Sequence, residues 1–217
     1  MSSKVRVHSF TISLDGYSAA PGQCLEHPFG PRGAPLMDWL HATEIFHRTV
    51  LHKSGGGTGV DDQFAREGFE GMGAWILGRN MFTPYRGGWE GQDWQGWWGD
   101  EPPFATPVFV LTHHPRKPIA MKNGTIFHFV TDGIHSALEQ ARKAAGAKDV
   151  RIGGGAATIR QYLQAKLIDE LRIASVPILL GAGESIFQGV DLRALGYETV
   201  ERLPGENATF VTIRRKG

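Results

Sequence analysis

The sequence predicts an α/β protein: a central, mostly parallel sheet with helices on both faces, closed by a C-terminal antiparallel hairpin. Three observations predict it. Short apolar runs alternate with segments of helical periodicity along most of the chain, the pattern of β-α-β units. Three runs pass straight into glycine or threonine, at 76–80, 110–116 and 151–158, as parallel strands do where they turn at one edge of a sheet. The last stretch of chain alternates in two blocks, 197–203 and 208–215, which suits a terminal hairpin and an antiparallel edge.

Taken in order, residues 4–12 (KVRVHSFTI) alternate and are rich in β-branched residues, so they read as a strand, and Asp15-Gly16 turns the chain. Residues 19–35 form a Pro/Gly-rich loop. Residues 35–52 carry an imperfect helical stripe of Leu36, Trp39, Leu40, Ile45, Phe46, Val50 and Leu51. Residues 61–72 predict a second helix, with Asp61 or Asp62 as its cap. Strands are expected at 74–80, 106–117 and 124–133, a helix at 134–148, a strand at 149–155, a helix at 156–168 and a strand at 169–183. Neither an internal repeat nor a low-complexity linker divides the chain, so residues 1–217 read as a single domain.

Composition excludes several classes. With 23 basic and 22 acidic side chains, the net charge of +1 gives no bulk attraction to nucleic acid or to an anionic membrane. The N-terminal residues lack the apolar core of a signal peptide, and no apolar run is long enough to span a bilayer. Cys24 is the only cysteine, so neither an intramolecular disulfide nor a cysteine metal cluster can form. These features lead us to expect a cytoplasmic protein. His47, His52, His113 and His114 fit no metal-ligand spacing, and no metal is expected.

The chemistry-bearing stretch is RIGGGAATI, residues 151–159. It fails the Walker pattern, because Ala156, Ala157 and Thr158 stand where Gly-Lys-Ser/Thr is needed. It fails the dinucleotide fingerprint too, because Thr158 occupies the third glycine position. Glycines opening a helix still suit an anion, through close backbone approach and the free N–H groups of the first turn; a tight structural turn is the plain alternative. Gly78-Arg79 and the 112–116 loop repeat the same grammar. Three such ends on one sheet edge would hold a molecule with several phosphates, and the arginine fork suits phosphate.

Together SLDGY (13–17), ILGRNMF (76–82), VLTHHPR (110–116) and residues 150–187 resemble the dihydrofolate reductase-like superfamily. The branch they are most similar to is the C-terminal reductase domain of riboflavin biosynthesis proteins. The resemblance spares two loop insertions, near 19–60 and 86–105. It implies NADPH bound across the strand ends. Gly78 and Arg79 would lie at the phosphates, although Asn80 and Met81 depart from the family's usual residues there. Thr112, His113, His114 and Arg116 would meet the adenosine 2′-phosphate end, and Gly153, Gly154, Gly155 and Ala156, with Thr158, the pyrophosphate. The loop Ser13-Leu14-Asp15-Gly16 corresponds to the segment that closes on the nicotinamide. Asp15 and Asp38 are the candidate catalytic acids, each with a plain alternative as a turn residue or a helix-start residue.

The expected function is NADPH-dependent hydride transfer to a small heterocyclic or carbonyl-like substrate. The alternatives are 5-amino-6-(5-phosphoribosylamino)uracil reductase of riboflavin synthesis, and a non-catalytic dinucleotide-binding or structural protein. The arginine pattern that would hold a folate tail is missing. A homodimer is the expected assembly, with a small-molecule substrate and neither nucleic acid nor membrane as partner. The Trp-rich segment, Trp89, Trp94, Trp97 and Trp98 with Tyr85 and Phe104, reads equally as a substrate wall, an oligomer contact or a loop packed on its own core.

Overall fold

The computed structural model describes residues 3–91 and 93–216. Six strands run parallel: β1 (Val5–Ser13), β2 (Met72–Gly78), β3 (Pro107–Leu111), β5 (Ile126–Val130), β6 (Asp149–Gly154) and β7 (Glu170–Val176). A two-residue strand β4 (Ile119–Ala120), unforeseen in the sequence, pairs antiparallel with β5. The expected hairpin, β8 (Tyr197–Pro204) and β9 (Thr209–Arg215), adds antiparallel to β7 through β9. The sheet order is β4-β5-β3-β2-β6-β1-β7-β9-β8. Between the strands lie α1 (Asp38–His41), α2 (Glu44–Thr49), α3 (Val60–Glu67), α4 (Arg79–Phe82), α5 (Gly133–Ala145) and α6 (Ala156–Gln164).

Connection direction sorts the helices between the two faces. The chain leaving β1 and β2 moves one way along the sheet, whereas the chain leaving β5 and β6 moves the other way. Right-handed crossovers then place the two groups of helices on opposite faces. Accordingly α5 and α6, through Ala137, Leu138, Ala141, Ile159 and Leu163, pack with Ala74, Ile76, Val150 and Ile152 on one face. Trp39 of α1 and Phe64 of α3 pack with Ala174, Val176 and Phe210 on the other. All of β2 is buried, and its side chains alternate between the faces: Ala74 and Ile76 to the first, Trp75 and Leu77 to the second.

Two sequence expectations are corrected. The 35–52 stripe is not one helix but a 3-10 turn at Ala34–Met37 followed by α1 and α2. Thr43 breaks it: its backbone is extended, its hydroxyl donates to the Leu40 carbonyl at 2.7 Å, and the same oxygen accepts from Phe46 N at 3.3 Å. A threonine that bonds locally in this way favours a cap over a helix interior. The second helix ends at Glu67, and neither Asp61 nor Asp62 is its N-cap, which is Gly59. Glu206 instead accepts from Val60 N and Asp61 N at 2.9 and 2.8 Å. The buried Asp61 carboxylate returns the arrangement, accepting from Glu206 N, Asn207 N and Asn207 Nδ2. Asp62 accepts from Ile45 N at 2.7 Å and from Arg66. The two aspartates therefore fasten α3 to the β8–β9 turn and to α2.

A polar layer runs under α3. His8 is 1% exposed; its Nδ1 lies 2.9 Å from Ser9 Oγ and its Nε2 has no hydrogen-bond partner. Burial first, and then the charges of Arg151, Arg172 and Arg6, hold its pKa far below the ordinary imidazole value. The folded state therefore keeps His8 neutral while the unfolded chain takes up a proton below about pH 6.5. Stability is lost as pH falls through that value, by about 1.4 kcal/mol per pH unit. We expect wild type to lose roughly 2 kcal/mol more than His8→Phe between pH 7.5 and pH 5 in urea melts; parallel pH profiles would refute this.

Candidate functional site at the carboxyl ends of the strands

β6 feeds its chain toward β7, while β2 and β1 on either side of it feed theirs the opposite way. The connections diverge there, and a crevice opens at the carboxyl end of β6. The three glycines that fill this position do different work. Gly153 is still a strand residue: a Cβ on it would come 2.6 Å from Leu77 Cδ2, so its bareness serves packing. Gly154 has φ +124°, which favours glycine, and follows the ring of Phe10 closely; the Gly154–Gly155 peptide is cis. Gly155 is the N-cap of α6, makes no side-chain cap, and has open space where a Cβ would stand. The first-turn N–H groups of α6 thus face a gap with the positive end of the helix dipole behind them.

Gly78 closes one side of this gap. A Cβ on it would lie 2.3 Å from Thr158 Oγ1 and 3.3 Å from Gly155 N, so the end of β2 and the first turn of α6 are in direct contact. Arg79 follows, half-buried, and reaches away from α6. Its Nη1 lies 3.4 Å from Thr112 Oγ1 and its Nη2 3.5 Å from the Gly88 carbonyl. Its guanidinium lies over the Trp89 ring, 3.9 Å from the centroid. Burial, then the charges of Arg86 and Arg116, lower its pKa. Thr112, buried at the end of β3, also accepts from His114 N at 3.1 Å. His114 is half-buried and its carbonyl accepts from Trp89 Nε1 at 2.8 Å, while His113 is exposed. Arg116 lies over the same Trp89 ring at 4.8 Å and over Phe129 at 5.3 Å. Gly78, Arg79, Thr112, Gly155, Ala156 and Thr158 are therefore brought to one edge, and Arg116 joins them through Trp89.

The candidate acids lie elsewhere. Asp15 lines a cleft of about 640 Å3 between the loops after β1 and β7, with Leu14, Tyr17, Ser185 and Phe187 among its walls. Its carboxylate accepts from Ser13 Oγ at 2.5 Å, Gly181 N at 2.7 Å and Leu180 N at 3.1 Å. The Ser13 bond first, with the two backbone bonds, holds its pKa below the ordinary carboxylate value. Asp15 thus ties the two loops together as an anion. A neighbouring cleft of about 470 Å3 is lined by Gln23, Arg86 and Glu184 among others. Asp38 lines neither cleft; it is exposed in the first turn of α1, where its charge bears on His41.

The Trp-rich segment packs on its own core. Trp89, Trp94 and Trp98 lie against a cluster that includes Trp75, Phe82, Phe104 and Phe127, and Trp94 Nε1 donates to the Phe82 carbonyl at 2.7 Å. The sequence offered Trp89 as one of several candidate wall residues but not as a neighbour of Arg79, and it did not mark Arg86. The only signal was an arginine and a tryptophan flanking two glycines at 86–89.

A mostly parallel sheet of this order, with helices on both faces and a glycine-opened helix at the point of divergence, is the architecture of the dihydrofolate reductase-like class. The chain belongs to the RibD C-terminal domain family, whose model matches residues 4–209. Over 98 residues it is 34% identical to the uncharacterized protein YyaP of Bacillus subtilis (strain 168), covering 43% of this chain and 52% of that one, so the match spans about half the length of that curated relative. Among solved structures it is similar, at 25% identity and TM-score 0.55 over 100% of both chains, to a protein of Shewanella sp. PV-4 provisionally described as a riboflavin biosynthesis protein. It shares the fold of dihydrofolate reductase from Enterococcus faecalis complexed with NADP(H), at 15% identity and TM-score 0.53 over 99% and 97% of the two chains. No helix among the described residues is long and apolar enough to cross a membrane.

Proposed function

We propose that the protein is an NADPH-dependent reductase that transfers hydride to a small heterocyclic substrate. Within that class, family membership favours 5-amino-6-(5-phosphoribosylamino)uracil over an unrelated carbonyl compound. The observation that carries the reading is the convergence of Gly155, Gly78, Arg79 and Thr112 on one strand edge. The residues fit the cofactor: the space over Gly155 is open, the first turn of α6 offers N–H groups, and a guanidinium stands one strand away. Gly155, Ala156 and Thr158, with Gly78, would hold the pyrophosphate; Arg79, Thr112 and Arg116 would hold the 2′-phosphate, with His113 and His114 in the same loop. When bound there, NADPH supplies the hydride.

The chain's own part is placement. Asp15, kept ionised by three donors, fixes the loops that form the cleft and does not give up a proton at neutral pH. The proton that balances the hydride is drawn from water in the cleft. Arg86 in the adjoining cleft offers a cation to a phosphorylated substrate.

NADPH is expected to raise the melting temperature and NADH to raise it less. No shift with either at millimolar concentration would remove the cofactor assignment. Turnover of the ribosylaminopyrimidine phosphate with NADPH tests the substrate, and binding without turnover of any heterocycle would favour a non-catalytic protein. Arg79→Ala is expected to weaken NADPH about 10- to 100-fold, the loss of one charge-assisted contact, and NADH less. Equal losses would put Arg79 at the pyrophosphate.

A further inference from the structure

The Trp89 ring does more than fill the core, and its placement is informative because arginines gather around it. Arg79 and Arg116 both lie over the ring, at 3.9 and 4.8 Å. At Arg79 the charge of Arg86 and then that of Arg116 are repulsive, while the charge of Asp93 bears favourably on Arg116. The hydrogen bonds of Arg79 go to a hydroxyl and a carbonyl, both at 3.4 Å or beyond, and its buried Nε has no hydrogen-bond partner. No carboxylate stands among those partners. Among the described residues it is the face of an indole that holds this guanidinium, because the ring's negative quadrupole attracts a cation.

The indole is itself fixed. Its Nε1 donates to the His114 carbonyl at 2.8 Å, which binds it to the loop carrying Thr112 and Arg116. Its edges meet Phe82 at 6.2 Å and Phe129 at 5.2 Å, and Phe82 is fully buried. One side chain from the 86–105 insertion thus connects the β2–α4 junction, which carries Arg79, to the loop after β3, which carries Arg116.

We propose that Trp89 is a positioning residue that holds Arg79 and Arg116 as a preformed pair for a phosphomonoester, making the insertion the element that selects a 2′-phosphorylated nucleotide. This rests on the NADPH reading. A phosphomonoester carries close to two negative charges at neutral pH and accepts several charge-assisted hydrogen bonds. Two guanidiniums already held together recognise it without having to be assembled against their own repulsion. A nucleotide without the 2′-phosphate gains nothing from the pair, so Trp89 acts on selectivity rather than on nucleotide binding in general.

The test is calorimetric binding of NADPH, NADH, 2′,5′-ADP and inorganic phosphate to wild type, Trp89→Leu and Trp89→Phe, with the melting temperature of each unliganded protein. Trp89→Leu is expected to weaken NADPH and 2′,5′-ADP roughly 5- to 10-fold and to leave NADH within about 2-fold. Trp89→Phe keeps a ring but loses the bond to His114, and is expected to fall between the two; it carries the test if the leucine variant does not fold. Equal losses for NADPH and NADH would overturn the proposal and leave the cofactor reading intact, since Trp89 would then only support the loop. Unchanged binding of both would overturn it as well. Inorganic phosphate that binds as tightly as 2′,5′-ADP, with the same loss in Trp89→Leu, would replace the nucleotide with free phosphate as the ligand. Wild type that binds none of the four would remove both readings.

Discussion

Arg151→Met is expected to destabilise the protein by ~3 kcal/mol, lowering its melting temperature by roughly 6–12 °C for a chain of this size. Arg151 lies inside β6 and is 7% exposed, and its hydrogen bonds go to two backbone carbonyls. It donates from Nη1 to the Gly68 carbonyl and from Nη2 to the His8 carbonyl, both at 2.6 Å, and stacks over Trp75 at 4.2 Å. Both acceptors sit where regular structure fails. The β1–β7 register shifts between Val7 and Phe10, which interrupts the ladder at His8, and Gly68 is the C-cap of α3. One guanidinium thus satisfies two carbonyls that secondary structure leaves over.

The opposing effect is the burial of its charge. Burial first, then repulsion from Arg6, pushes the Arg151 pKa down to about 9. A base with a depressed folded pKa costs stability wherever it is charged in both states, so methionine relieves that cost at pH 7. Two buried carbonyls left without donors cost about 1–3 kcal/mol each, and the lost stacking adds to this; we expect that side to prevail. Arg151→Lys should recover little, because an ammonium is more strongly hydrated and cannot span both acceptors in a planar fork. Urea denaturation decides the balance: a midpoint at or above that of wild type would mean that the relieved charge burial dominates.

The sequence exposes the parts of this molecule that are written locally. β2 could be read because a strand buried on both faces is a continuous apolar run, and the ends of β2 and β6 could be read because each runs into glycine. Other parts are settled between distant residues. Asp61 and Asp62 look like a helix start, yet Glu206 makes that cap from the far end of the chain, while Asp61 serves the turn that carries Glu206. Thr43 divides a helical stripe whose apolar spacing continues across it. β4 has two residues and no periodicity to detect. At the site, the family pattern pointed to Gly78, Arg79 and Gly155. Nothing local indicated that Arg79 would turn from α6 toward Thr112 and lie on Trp89, because that contact depends on how a glycine-rich loop returns across the sheet edge.

Gly78→Ala is expected to weaken NADPH binding by about 5- to 150-fold while leaving the protein folded, the range that 1–3 kcal/mol of overpacking implies. The backbone at Gly78, with φ −73° and ψ 155°, accepts any residue, so the cost is purely one of space. The new methyl would meet Thr158 Oγ1 at 2.3 Å. Thr158 is buried in the first turn of α6, and a β-branched side chain in a helix has few rotamers to retreat to. The substitution therefore turns the hydroxyl out of place or lifts the first turn of α6 away from β2. Either change disturbs the N–H groups proposed to face the pyrophosphate. The double variant separates this from a general defect. Thr158→Ala removes the obstructing oxygen, after which the methyl meets Gly155 N at 3.3 Å and Thr158 Cβ at 3.4 Å, contacts that a shift of a few tenths of an ångström relieves. Gly78→Ala/Thr158→Ala should therefore bind NADPH more tightly than the product of the two single losses allows. Strict additivity would show that Gly78 and Thr158 act independently, and wild-type affinity in Gly78→Ala would place the nucleotide phosphates away from this contact.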